Sequence, residues 1–417
     1  MAFFMKEFQH LKIPLKAIKA ATKNFDERRV IGNGGFGKVY KGKLSHANRS
    51  KNMFAIKRLD PKYGQGDPEF YKEIRMLCCY RHENLISLLG FCNEEGEMIL
   101  VYEYASRGSL DRLLSDVTLT WTQRIKICLD AAKGLSFLHD PNGTQQRVLH
   151  CDIKSANNLL DKNMIAKVSD FGLSKMGPAY QQYSHLITNP VGTPGYCDPL
   201  YMEAYQLTKE SDVYSFGVVL FEVLCGRLCA EYSNGQLKVQ HVPFWKKSCK
   251  QKELNKIIFR DLIPPMDPNS LEIFANIAYQ CLHKSREERP PMSFVVEQLK
   301  ISLEFQERPN HWPKKMPTYE VLVKDAITPP RHNHWPKKMP TYEGLVKDAV
   351  TPPRPNHWPK KMPTYEELVK DAVTPLIYES SEELKGRLSK GVLNGGKTVI
   401  SYIAFDYIFE IFVESFK

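Results

Sequence analysis

The sequence predicts an α+β fold, with strands near its start, helices through its middle, and a closing Pro/Lys-rich repeat tail with short helices. Three observations carry this. A glycine-rich run at 31–39 is followed by two segments, 39–42 and 53–57, that read as strands. Apolar residues in WTQRIKICLDAAKGLSFLH (121–139) recur at helical spacing, as in a long core helix. After Glu307 the composition turns to proline, lysine and histidine, and one unit of 23 residues repeats three times.

With 417 residues, 42% of them apolar, the chain can bury one large two-lobed core and still leave the repeat tail outside it. Its ten cysteines show no paired zinc spacing and read as reduced thiols of an intracellular, cytoplasmic protein. No apolar run suits a signal peptide or a membrane span, and Ala2 stands where a myristoylation signal needs glycine. A net charge of +11, strongest in the flanks, suits peripheral contact with an anionic membrane surface, although lysines scattered over solvated segments explain it more simply. No nucleic-acid partner is expected.

The chemistry is concentrated in HCDIKSAN (150–157) and in Asp170-Phe171-Gly172 downstream. An aspartate, a lysine two residues on and an asparagine five residues on have separate electrostatic tasks in phosphoryl transfer. Asp152 would orient the attacking hydroxyl, Lys154 would neutralise charge on the moving phosphoryl group, and Asn157 and Asp170 would hold Mg2+. Upstream, Ile31-Gly32-Asn33-Gly34-Gly35-Phe36-Gly37-Lys38-Val39 fits a phosphate-covering glycine hairpin followed by a strand, not the helix that a dinucleotide fingerprint requires. Lys57, closing Phe-Ala55-Ile-Lys, is placed for the α- and β-phosphates, with Glu73 on a helical stretch from about Pro68 as its ion-pair partner.

From about 20 to 307 the chain resembles a eukaryotic protein kinase, and within it a plant receptor-like serine/threonine kinase of the malectin-receptor branch. The segments that carry this are EFYKEIRML (69–77), RHENLISLLGFC (81–92), MILVYEYASRGSL (98–110), SDVYSFGVVLFEVLCGR (211–227) and EERPPM (287–292). The resemblance implies a two-lobed protein kinase fold with ATP between a sheet-based N-lobe and a helical C-lobe. It also implies protein substrates phosphorylated on serine or threonine, and a membrane receptor kinase as a partner at the inner face of the plasma membrane. It assigns Tyr102 to the back of the adenine pocket and Glu103 and Ala105 to the hinge, with Ile31, Val39 and Ala55 completing the nucleotide contacts. A kinase-fold scaffold with weak activity, binding partners through its C-lobe and repeats, is the alternative.

Within the activation segment (170–199), Thr188 is the first candidate phosphosite, ahead of Ser184 and Tyr183, while Thr193 is expected to contact Asp152. Two positions depart from the family pattern. Cys151 replaces the arginine before the catalytic aspartate, which predicts that loop phosphorylation matters less than usual. Leu200 replaces a glutamate that would pair with Arg289, leaving Glu203 as the nearest substitute in sequence.

The chain therefore divides into a basic segment (1–21), a kinase domain (22–307), three repeats (308–376) and a tail (377–417). The repeats begin at His311, His334 and His357 and read as a semi-rigid spacer, because each predicted helix is short and flanked by proline. Residues 375–398 loosely resemble the start of a phloem-protein-2-like module. The Walker-like match at 391–398 lacks the strand before and the helix after that the motif needs.

Overall fold

The computed structural model describes residues 7–34, 37–44, 52–60, 67–140, 146–177, 186–233, 236–259, 261 and 266–308. Gly35, Phe36, Tyr183, Ser184, the repeats and the tail lie outside these residues.

The described residues fold as two lobes. Helix α1 (Leu15–Thr22) precedes strands β1 (Val30–Gly34), β2 (Gly37–Leu44) and β3 (Asn52–Leu59). Helix α2 (Asp67–Cys79) follows, then β4 (Leu88–Cys92) and β5 (Ile99–Glu103). The five strands form one antiparallel sheet in the order β1-β2-β3-β5-β4. Alternation along β3 decides what each face does. Phe54 and Ile56 are buried with Tyr40, Val101 and the Leu15 and Ile18 side chains of α1, while Ala55 and Lys57 turn to the cleft. From residues 7–22, marked in sequence only by their basic charge, Phe8, Ile13, Leu15, Ile18 and Ala21 are thus buried in hydrophobic core.

The C-lobe is mostly helical. After β6 (Gly108–Ser109) comes α3 (Trp121–His139), started by a capping box in which Thr120 and Gln123 exchange side-chain and backbone bonds. Its residues are buried on nearly all sides, so it is the lobe's central pillar rather than an amphipathic surface helix. Short strands β7 (Arg147–Leu149), β8 (Asn158–Leu160), β9 (Ala166–Val168) and β10 (Lys175–Gly177) bracket the loop 150–157, with β6-β8-β9 forming one small sheet and β7 pairing β10. The chain continues through β11 (Leu186–Ile187), α4 (Pro199–Ala204), β12 (Gln206–Leu207) and α5 (Lys209–Cys225). Helix α5 ends at Gly226, whose φ of +68° and closeness to the Phe259 ring leave no room for a Cβ. Helices α6 (Val242–Lys250), α7 (Pro268–Cys281) and α8 (Met292–Glu307) complete the lobe. All ten cysteines are unpaired thiols. No helix among the described residues is long and apolar enough to cross a membrane.

Candidate active site

Between the lobes lies a cleft of about 700 Å³. Ile31, Gly32, Asn33, Gly34, Val39, Ala55 and Lys57 line it from the sheet, Glu73 from α2, and Tyr102, Glu103 and Ala105 from the connection between lobes. Asn157 and Asp170 line its floor. Gly37 stands outside the lining, and its φ of +120° with the Arg58 carbonyl directly behind explains why glycine is needed there for the hairpin to turn. The spacing of the sequence gave no signal for several other lining residues, including Ile86, Leu159 and Arg112. Arg112 donates through Nη2 to the Ile31 carbonyl at 3.2 Å and so ties the C-lobe to the first strand of the N-lobe.

Register delivers Lys57. It sits opposite Val39 on β2 and Leu100 on β5, and its Nζ lies 2.7 Å from Asp170 Oδ1 and 3.3 Å from Glu73 Oε2. Burial opposes the ammonium charge, but the Asp170 and Glu73 carboxylates outweigh it and raise the lysine pKa. Burial likewise works against the charge of Asp170, and Lys57 nevertheless holds that carboxyl below its usual range. Glu73 has two further donors that the sequence did not announce. The Tyr102 hydroxyl donates to Glu73 Oε1 at 2.8 Å and the Phe171 amide donates to the same oxygen at 3.3 Å. Burial, then the Glu73 charge, pushes the Tyr102 phenol well above its ordinary value, so it remains a neutral donor.

The catalytic loop forms a second cluster. Asp152 Oδ1 accepts from the Thr193 hydroxyl at 2.6 Å, as expected, and Oδ2 accepts from Lys154 Nζ at 2.8 Å. Lys154 also donates to Thr193 Oγ1 at 2.8 Å, closing a triangle between loop and activation segment. Asn157 donates through Nδ2 to the Asp152 carbonyl at 2.8 Å and to Oδ2 at 3.1 Å, which leaves its own side-chain oxygen for a cation. That oxygen and the Asp170 carboxylate are hard donors suited to a divalent ion that completes its shell with phosphate and water. Among the described residues no group of three or more His, Cys, Asp or Glu side chains could enclose a metal unaided.

Behind the loop, Asp212 on α5 accepts from the His150 amide at 2.7 Å and the Cys151 amide at 2.9 Å, and His139 Nε2 lies 3.0 Å from it. These bonds hold Cys151 at a φ of +70°, a left-handed conformation costly for a residue with a side chain. His150 is fixed by the Asp152 amide donating to Nδ1 and by its own Nε2 donating to the Ser169 carbonyl at 3.1 Å.

The expectation for Arg289 needs correction. Glu203 is exposed, and the carboxylate that Arg289 reaches is Asp198, two residues before Leu200. Only at Asp198 does the chain bend so that a side chain caps α4, donated to by the Leu200 amide, while facing the C-lobe interior. The side chain at 203 points into solvent one turn later.

A nucleotide-sized cleft with a lysine held between two carboxylates, beside an Asp-Lys-Asn loop, defines a protein kinase that binds ATP. The chain belongs to the protein tyrosine and serine/threonine kinase family, whose model matches residues 25–299. It is 46% identical over 299 residues to the receptor-like protein kinase HERK 1 of Arabidopsis thaliana, covering 71% of this chain and 35% of that protein. It is also 45% identical over 300 residues to ANXUR2 and 44% identical over 294 residues to FERONIA, both receptor-like protein kinases of the same plant. These alignments cover 71% and 70% of this chain and 34% and 32% of the relatives. The chain thus spans about a third of the length of the curated relatives it matches, and its kinase region is of the plant receptor-like kind.

Proposed function

We propose that this chain is an ATP- and Mg2+-dependent serine/threonine protein kinase. The observation that carries the reading is that Lys57, Glu73, Asp170 and Asn157 line one cleft, while Asn157 is bonded directly to Asp152 of the Asp152–Lys154–Thr193 triangle. Lys57, fixed by Glu73, orients the α- and β-phosphates. Asn157 and Asp170 would hold Mg2+, whose charge offsets that developing on the phosphoryl oxygens. Asp152 orients the acceptor hydroxyl and takes its proton, and Lys154 stabilises the transferred group. Lys154, in place of the arginine-bearing loops of tyrosine kinases, favours serine and threonine acceptors. The names of the relatives, receptor-like protein kinases, support a role in receptor-like signalling; a membrane receptor kinase is the proposed partner and the inner face of the plasma membrane the proposed place of action.

Purified full chain incubated with labelled ATP, Mg2+ and a generic basic protein should transfer phosphate. Lys57→Met and Asp152→Asn should each reduce the rate by about a hundredfold or more while the fold persists, since positioning and electrostatics supply nearly all the catalysis. ATP binding by the wild type with no turnover would instead favour the scaffold.

A further inference from the structure

The family match begins at residue 25, yet the chain before it reaches the helix that bears Glu73. Phe8 is 8% exposed and belongs to the core cluster containing Phe70, Ile74 and Leu77 of α2. Its neighbour Glu7 lies close enough to the end of α2 to add to the effect of burial in raising the Cys78 and Cys79 thiols. A few residues on, Lys12 pairs in parallel with Phe91 on β4, and the Ile13 amide donates to the Phe91 carbonyl at 2.8 Å. The segment thereby covers the edge strand of the sheet, where main-chain groups would otherwise stand open.

The fit leaves no slack. A Cβ at Gly90 would sit 2.6 Å from the Leu11 carbonyl oxygen and 2.5 Å from Ile13 Cδ1, so β4 can carry this segment only because residue 90 has no side chain. The Phe91 ring meets the Phe70 ring edge-on at 6.1 Å. Phe70 lies three residues before Glu73, hence on the same stretch of helix surface. Swinging α2 away from Lys57 would have to disturb the core cluster to which Phe8 and Phe70 both belong.

We propose that residues 8–13 form a strap that holds α2, and with it Glu73, against Lys57, Phe8 being a positioning residue for phosphoryl transfer. The proposal rests on the kinase reading of Lys57 and Glu73. The phenyl ring acts by filling the space between β4 and the end of α2, and the Ile13–Phe91 bond fixes where that ring enters. Neither group touches nucleotide.

The test uses the full chain and two readouts, hydrogen exchange along α2 and steady-state kinetics with ATP. In Phe8→Ala, protection of the α2 amides should fall while that of α3 stays, and kcat/KM should drop about tenfold, equivalent to ~1.4 kcal/mol. Phe8→Leu should recover most of both. Gly90→Ala, which sets a methyl group against the Leu11 carbonyl, should reproduce the loss without altering the strap, and Lys19→Ala on the exposed face of α1 should change neither. Unchanged α2 protection in Phe8→Ala, or an equal loss in α3, overturns the strap. A wild type without turnover overturns the kinase reading instead, and the exchange data then decide the strap by themselves.

Discussion

Arg289 donates through Nη2 to Asp198 Oδ1 at 2.8 Å, and both side chains are sealed from solvent, at 1% and 0% exposure. Asp198 also receives Arg286 at 3.2 Å, the Ser211 hydroxyl at 3.0 Å and the Leu200 amide at 3.1 Å. Burial opposes its charge, but the Arg289 guanidinium holds its pKa below the usual carboxylate range. One aspartate therefore joins the end of the activation segment to the start of α5 and to the loop before α8. It also supplies the carboxylate that Leu200 cannot.

Asp198→Ala should therefore be the most damaging single change outside the cleft. Removing one partner of a buried pair leaves a desolvated guanidinium, at a cost of about 3–5 kcal/mol. Urea unfolding of the variant should show the midpoint falling accordingly, and Leu200→Glu in the same chain should restore part of it by returning a carboxylate to the neighbourhood. A midpoint within experimental scatter of the wild type would show that Arg289 is content with the His283 and Glu210 carbonyls, 2.8 and 2.9 Å away.

Tyr102→Phe isolates the hydroxyl that donates to Glu73. A hydrogen bond to a charged group contributes about 1.5–3 kcal/mol, and its loss should let Glu73 drift from Lys57. We expect kcat to fall by about tenfold or more, with little change in ATP affinity because the ring still closes the back of the pocket. A large rise in KM for ATP at constant kcat would assign the residue to nucleotide binding instead.

Glu222 gives the fold a pH dependence. It is fully buried on α5, where Oε1 accepts from the Tyr196 hydroxyl at 2.6 Å and the Cys229 amide at 2.7 Å, while Oε2 has no hydrogen-bond partner among the described residues. Burial pushes its carboxyl up to about 7. A folded pKa above the ordinary 4.5 means that the native state binds the proton more tightly than the unfolded chain. Its stabilising contribution is complete below pH 4.5 and is lost as pH rises through about 7. The change is on the order of 3 kcal/mol. Thermal unfolding of wild type and Glu222→Gln from pH 5 to 8 should show a downward slope for this group in the former that is missing in the latter. Parallel profiles would exclude the assignment.

Thr188→Ala should keep most of the activity. Burial and the nearby Asp212 carboxylate push the Cys151 thiol well above its ordinary value, so it remains a neutral thiol beside Asp152. With a thiol in place of arginine at 151, that position holds no cation for a loop phosphate to neutralise. Thr188 is already tied down, its hydroxyl accepting from Lys175 Nζ at 2.5 Å and its amide donating to the Tyr205 carbonyl. Turnover of phosphatase-treated wild type, Thr188→Ala and Cys151→Arg would decide the matter. A severe loss on dephosphorylation that maps to Thr188 would contradict it.

The sequence made some parts of this site readable because their geometry is local. Asp152, Lys154 and Asn157 share one loop, so their order on the chain nearly fixes their order in space, and Lys57 follows from the alternation of a single strand. Tyr102 was legible as a pocket wall but not as a partner of Glu73, because that bond depends on how α2 lies across β5. Asp198 and Arg289 are 91 residues apart, and no spacing rule links them. The same holds for Ile18, whose burial depends on α1 crossing the back of a sheet that forms later in the chain.

Asp212 grips His150 and Cys151 by their amide nitrogens, not by their side chains. The bonds from Asp212 that shape the loop 150–157 therefore depend on the main chain of residue 151, which must adopt the left-handed turn. Chemistry and control are uncoupled at this point of the polypeptide. A substitution at 151 that keeps the left-handed main chain should therefore leave Asp152 in its place.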